Sequence, residues 1–112
     1  MDASGGRLGR VRGDVARGQV VMAMAGAALN VPLTHIESSS RAADAVFARQ
    51  LAMYLAHVAF GMSLGRVAAA FGRDRSTVGH ACHAIEDKRE DDAFDRWVAA
   101  LEAAISITPV AA

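Results

Sequence analysis

Cysteine occurs once in the 112 residues, as Cys82, so no intramolecular disulfide framework can brace the fold, and a reducing cytoplasm suits the chain. With no further cysteine, His80, Cys82 and His83 fall short of a zinc set, and the two histidines share a helical face that Cys82 does not. Strand formers are scarce beside abundant Ala and Leu. No alternating run with hairpin turn residues appears, which leaves an all-α architecture. Long apolar runs are missing too. Val20 to Leu29 covers ten residues, where a bilayer span takes about twenty. Arginines before this run and small residues after it imitate a secretory signal. Against export, Asp14 lies within the basic region, and Arg17 and Gln19 fit the polar face of a surface helix. No paired carboxylates, nucleophile or metal set completes a site around His80 and His83. No enzyme, cofactor, metal, membrane contact or small-molecule substrate is therefore expected.

Net charge is absent as well: twelve basic residues balance twelve acidic ones, unusual for a nucleic-acid binder. The distribution is uneven. Residues 1–18 hold four Arg against Asp2 and Asp14, residues 41–75 hold five Arg against Asp44 and Asp74, and residues 76–112 hold three basic residues against seven acids. Positive charge thus surrounds the turn at residues 71–75, and negative charge lies beyond it, which is compatible with a DNA-facing side and an opposite solvated side, and equally with ordinary surface charge.

The chain reads in order as a small helical bundle. Residues 1–13, rich in Gly and Arg, carry no hydrophobic period and read as a disordered basic arm, with Arg7, Arg10 and Arg12 available for phosphates. Asp14 is a candidate N-cap for a helix to about Asn30. Pro32 then breaks the chain before one short turn, and residues 37–41 form an exposed loop. A longer helix over about 42–60 presents Phe47, Leu51, Tyr54, Leu55 and Val58 on one face, with Arg49 and Gln50 at its edge. Gly61 ends it, and Ser63 caps the next.

A short amphipathic helix, 63–71, is followed by a tight turn at Gly72 and a second helix. At about 100° per residue, Val78, Ala81, Cys82 and Ile85 form its apolar stripe, with Ser76, Gly79, His80 and His83 opposite. That is a helix-turn-helix, whose second helix enters the DNA major groove by its N-terminal residues. Asp74 is placed to cap that helix. Residues 86–92 read as a solvated helix end and linker. A last helix carries Phe94, Trp97, Val98, Leu101 and Ile105, with Trp97 as its anchor, and residues 108–112 are a tail. The expected domain spans 14–107.

The run Phe71-Gly72-Arg73-Asp74-Arg75-Ser76-Thr77-Val78-Gly79-His80-Ala81-Cys82-His83-Ala84-Ile85-Glu86 resembles the C-terminal, DNA-binding domain of the bacterial replication initiator DnaA. A second stretch, Ala48-Arg49-Gln50-Leu51-Ala52-Met53-Tyr54-Leu55-Ala56, followed by Ser63-Leu64, matches the same family. The likeness covers about residues 15–90. It implies that Arg41, in the loop before the long helix, reads the minor groove. It also implies that Asp74, Arg75, Ser76 and Thr77, with Arg73 beside them, meet bases and phosphates in the major groove. Arg49 and Gln50 match phosphate-contacting positions, His57 and His80 match neighbours of the DNA backbone, and His83 lies with His80 on the flank of the recognition helix and is counted with the DNA-binding residues. Arg suits a narrow, negative minor groove and can donate two bonds to guanine.

The departures are Arg75 where the family usually has His, Ser76 for Thr, Gly79 for a larger apolar residue, and His83-Ala84 for a basic pair. Ala48 stands where Pro is common, and the loop before Arg49 has Asp44 and Phe47 where the family has more Arg. They leave the target sequence and affinity open. The initiator's Gly-rich loop ending in Gly-Lys-Ser/Thr has no counterpart. The reading is a cytoplasmic, nucleoid-associated, sequence-specific double-stranded DNA binder that regulates replication or transcription without ATPase activity. A protein-interaction or homodimerisation module that kept the fold and lost most DNA affinity is the alternative.

Overall fold

The first helix, α1 (Ala3–Leu29), begins well before the residue expected to cap it. The computed structural model describes residues 3–107, so the tail expected at 108–112 lies outside the described residues. Residues 3–13 are helical rather than an irregular arm. No proline or turn cluster interrupts them, and each residue added to an existing helix gains a backbone bond. Their outer turns pack little: Leu8 and Val11 are both more than half exposed.

Asp14 is therefore no N-cap. It sits inside α1, buried, and accepts two hydrogen bonds from Arg66, Nε to Oδ2 at 2.9 Å and Nη2 to Oδ1 at 2.6 Å. Arg17 approaches the same carboxylate at 3.3 Å. This bidentate pair fastens α1 to the helix α4 (Leu64–Phe71), a fork-on-fork geometry that fixes direction as well as distance. The Arg66 bond holds the Asp14 carboxyl below its usual range, and the charges of Arg66, Arg17 and Arg10 add to the effect against the opposing pull of burial. A carboxylate depressed on folding contributes stability above its unfolded pKa of about 3.9 and loses it as pH falls through the folded value. Arg66→Met should thus cost about 1–2 kcal/mol at pH 7. Urea unfolding at pH 7 and at progressively lower pH should show the gap to wild type narrowing below about pH 3.9. A gap that stays constant with pH would assign the loss to packing instead.

At the far end of α1, Asn30 takes a left-handed backbone (φ 55°), and Val31 N–H donates to the Gly26 carbonyl at 2.9 Å. The two backbones approach so closely that a β-carbon on Gly26 would lie 2.8 Å from the Val31 oxygen. The expected short turn is α2 (Leu33–Glu37). Its Ile36 joins Val31 and Ala48 in a small satellite core.

The central helix α3 (Ala43–Val58) buries six consecutive residues, Leu51 to Ala56. One apolar face does not describe it. Helix α1 packs on α3, and so does α5 (Arg75–Lys88), so its middle is enclosed all round while Val58, at its end, is 42% exposed. Ser63 caps α4 as expected, its hydroxyl accepting from Arg66 N–H at 3.2 Å. Gly72 supplies the left-handed residue (φ 63°) that ends α4 and turns the chain, a conformation in which glycine is unstrained.

In α5 the stripe of Val78, Ala81, Cys82 and Ile85 is buried as the periodicity requires. Burial, and then the Glu86 carboxylate, push the Cys82 thiol up to about 11, so it remains a protonated core group. On the partly open side, a β-carbon at Gly79 would meet no atom within 4 Å. Gly79→Ala should accordingly stabilise the domain by roughly 1 kcal/mol through helix propensity. In a thermal melt that means a rise of about 4–8 °C for a domain of this size.

The last helix, α6 (Asp92–Ser106), starts at Asp91, whose carboxylate accepts from Phe94 N–H at 2.9 Å. Val98 and Ile105 are its fully buried anchors. Trp97, the expected anchor, is only partly buried and lies 5.7 Å from the Phe94 ring, which in turn neighbours Phe47 at 6.1 Å. The segment before α6 is more than a solvated linker. Arg89 donates to Asp95 Oδ1 at 2.6 Å, to the Tyr54 hydroxyl at 3.0 Å and to Glu102, tying the end of α5 to α3 and α6.

Candidate nucleic-acid interface

Two polar segments converge on one side of α3. The first is the beginning of α5. Asp74 has the extended backbone of an N-cap (φ −71°, ψ 149°), but its side chain makes no capping bond. The expected cap is therefore absent, and the Asp74 side chain is exposed together with Arg75, Ser76 and Thr77. First-turn N–H groups without intrahelical acceptors are a natural anion-facing surface. His80 and His83 continue the exposed flank, while Val78 and Ile85 pin the opposite side into the core.

The second segment is the loop between α2 and α3, which carries the exposed Arg41. Two serine hydroxyls, those of Ser38 and Ser40, give it internal order. Ser38 Oγ donates to the His35 carbonyl at 2.8 Å, Ser40 N–H donates to Ser38 Oγ at 3.1 Å, and Ala42 N–H donates to Ser40 Oγ at 3.2 Å. Arg49 reaches into this loop from α3. Its Nε donates to the Ile36 carbonyl at 2.9 Å, and its Nη2 faces the carbonyls of Ser38 at 2.9 Å, Ser40 at 3.2 Å and His35 at 3.3 Å. Arg49 is buried, at 8% exposure. Burial first, and then the charge of Arg73, lower its pKa from the ordinary arginine value. The family-derived phosphate role thus meets a side chain whose visible work is holding the loop. Sequence reasoning placed Arg49 at the edge of the apolar face, and that intermediate position was its one local signal.

Between α3 and the start of α5 lies a cleft of about 210 Å³, lined by Val46, Arg49, Gln50, Met53, Arg73, Thr77, His80 and Ala81. Five of these eight are among the residues singled out from sequence. All five bear donors, and no carboxylate lines the cleft. The groove is otherwise largely apolar, and Arg49 and Arg73 already donate to loop carbonyls, which leaves Gln50, Thr77 and His80 as the donors that could meet an oxyanion such as a phosphodiester. Arg73 also donates Nη2 to the Ser38 carbonyl at 2.8 Å, so the turn before α5 touches the Arg41 loop directly. His57 stands apart. Its Nδ1 lies 2.6 Å from the Met62 carbonyl, and it lines a separate hollow with Leu64, Gly79, Cys82, His83 and Glu86. The structure therefore groups His57 with His83 and leaves both outside the donor cleft.

Comparison with known proteins bears on this arrangement. The family description "Bacterial dnaA protein helix-turn-helix" matches residues 19–85. The chromosomal replication initiator protein DnaA 2 of Chlamydia pneumoniae is 47% identical over 62 residues, which are 55% of this chain and 14% of that protein. The chromosomal replication initiator protein DnaA of Laribacter hongkongensis is 43% identical over 63 residues, 55% of this chain and 13% of that protein. The chain thus spans only a small part of the relatives' length. A solved structure described as a DNA replication initiation factor superposes with a TM-score of 0.75 at 28% identity, over 84% of this chain and 29% of that one.

Proposed function

The chain belongs to the bacterial DnaA helix-turn-helix family, and on that premise we propose that it binds double-stranded DNA in a sequence-specific manner. In this reading the N-terminal end of α5 enters the major groove, with Asp74, Arg75, Ser76 and Thr77 facing bases and phosphates, and Arg41 enters the adjacent minor groove. Gln50, Thr77 and His80 take the intervening phosphate in the donor cleft, and His57 and His83 flank the backbone. The single observation that carries the reading is the carboxylate-free cleft between α3 and the exposed end of α5, one of whose lining residues, Arg73, also bonds the loop that carries Arg41.

Site occupancy then regulates replication or transcription, with no ATP chemistry supplied by these residues, which include no Gly-Lys-Ser/Thr loop. A cytoplasmic, nucleoid-associated setting follows from such a partner. Among the described residues no helix is long and apolar enough to cross a membrane.

Fluorescence anisotropy on initiator-type and random duplexes across a salt series tests the proposal. Affinity should fall linearly on a log–log plot, with a slope of about −0.9 per phosphate contacted. Absence of salt-sensitive binding to every duplex would remove it. A second reading, homodimerisation through α1, is favoured by one observation: Leu8, Val11 and Val15 are exposed at helical spacing on its outer turns. Light scattering decides it, and a dimer that also binds DNA would fit two half-sites.

A further inference from the structure

Two guanidinium groups, from elements far apart in sequence, share one backbone oxygen. The Ser38 carbonyl accepts from Arg49 Nη2 at 2.9 Å and from Arg73 Nη2 at 2.8 Å. Arg49 comes from α3 and Arg73 from the turn that launches α5, so the carbonyl is a junction of the loop, the central helix and the turn. Among the described residues neither guanidinium forms an ion pair. The two like charges thus meet on a shared carbonyl, with Glu37 lining a neighbouring hollow beside both, and both also line the donor cleft. Three residues along the chain from that junction stands Arg41, and two residues beyond Arg73 stands Arg75.

We propose that Arg73 is a positioning residue. By gripping the Ser38 carbonyl it sets the Arg41 loop in register with α5, so that minor-groove and major-groove contacts are made as one unit. This rests on the DNA-binding reading above and adds to it. A guanidinium holds a planar fork that a flexible ammonium does not, and the loop itself is short and rich in exposed serines, with little apolar packing to fix it. Fixing such a segment before binding removes an ordering cost that would otherwise be deducted from affinity. In the opposing picture Arg73 simply touches a phosphate.

The two pictures separate in a double-mutant cycle. Arg73→Met keeps the aliphatic stem and removes charge and donors, and Arg41→Ala removes the minor-groove probe. Wild type, both single variants and the double variant are titrated against one preferred duplex and against duplexes altered at each base pair. Under the clamp, Arg73→Met weakens the preferred duplex roughly tenfold and relaxes preference at the same base pairs that Arg41→Ala relaxes. In the Arg41→Ala background it then costs less than about threefold, because coupled residues are not additive. If Arg73 is a phosphate contact only, all duplexes weaken alike, the salt slope drops by about one and the two losses multiply. That result overturns the clamp while leaving DNA binding intact. If wild type binds no duplex, the DNA reading fails first and the clamp falls with it.

Hydrogen exchange in the free protein gives an arm independent of DNA. The Ser40 and Ala42 amides, held by the Ser38 and Ser40 hydroxyls, should exchange at least several-fold faster in Arg73→Met. Unchanged protection there, with an unchanged melting temperature, also overturns the clamp.

Discussion

Replacing Arg49 by Met should lower the unfolding free energy by about 1.5–3 kcal/mol, the range for hydrogen bonds to a charged group. The side chain is buried and serves four carbonyls, those of His35, Ile36, Ser38 and Ser40. Methionine fills much of the same space but donates nothing, so the Ile36 oxygen loses its side-chain donor and the loop loses its inner support. With a shift of roughly 4–8 °C per kcal/mol in a domain of this size, a thermal melt resolves the effect easily. Duplex binding should fall as well, most at the base pairs read by Arg41, since the loop that carries it is released. The family-derived role as a plain phosphate contact has a different signature: an unchanged melt, equal weakening of all sequences and a salt slope flatter by about one. An Arg49→Met protein that melts like wild type therefore contradicts the structural assignment.

Arg75→Ala should do the reverse. Arg75 is exposed on the first turn of α5, and its side chain makes no hydrogen bond or ion pair among the described residues. Its removal should change stability by less than about 0.5 kcal/mol. If it reads a base, affinity for the preferred duplex should drop by about 1–3 kcal/mol and discrimination at that base pair should relax. Because the family usually has His at this position, Arg75→His is the informative companion. It should shift base preference rather than abolish binding, as a shorter, single-point donor replaces a fork able to bridge guanine O6 and N7. An equal loss on every duplex, with preferences intact, would move Arg75 from base reading to phosphate contact.

Much of this site was legible in the sequence because its signals are local. The stripe of Val78, Ala81, Cys82 and Ile85 fixes which face of α5 is buried, and so which residues are left to face a partner. Ser63 and Gly72 announce the limits of α4 by chemistry that needs no knowledge of the rest. The features that sequence reasoning misread depend on partners elsewhere. Asp14 looks like a helix cap until Arg66, 52 residues later, takes its carboxylate. Nothing local in the sequence shows that Arg49 and Arg73, read there as DNA contacts, also share the Ser38 carbonyl. Trp97 looks like the anchor of α6 by size, yet it stays on the rim with Phe94 while the smaller Val98 and Ile105 fill the core. Periodicity reports which side of a helix is apolar. It carries no information about which distant charge or carbonyl that helix will meet.

The most direct measurement is selection of bound duplexes from a random-sequence pool, performed with wild type and with Arg75→Ala and Arg41→Ala in parallel. A sequence-specific reader should enrich one compact motif. Arg75→Ala should lose information at one part of it, and Arg41→Ala at an adjacent part, as expected for a major-groove helix beside a minor-groove arginine. Recovery of no motif by wild type, or of one that both variants leave unchanged, would contradict this assignment of the α5 end and the Arg41 loop.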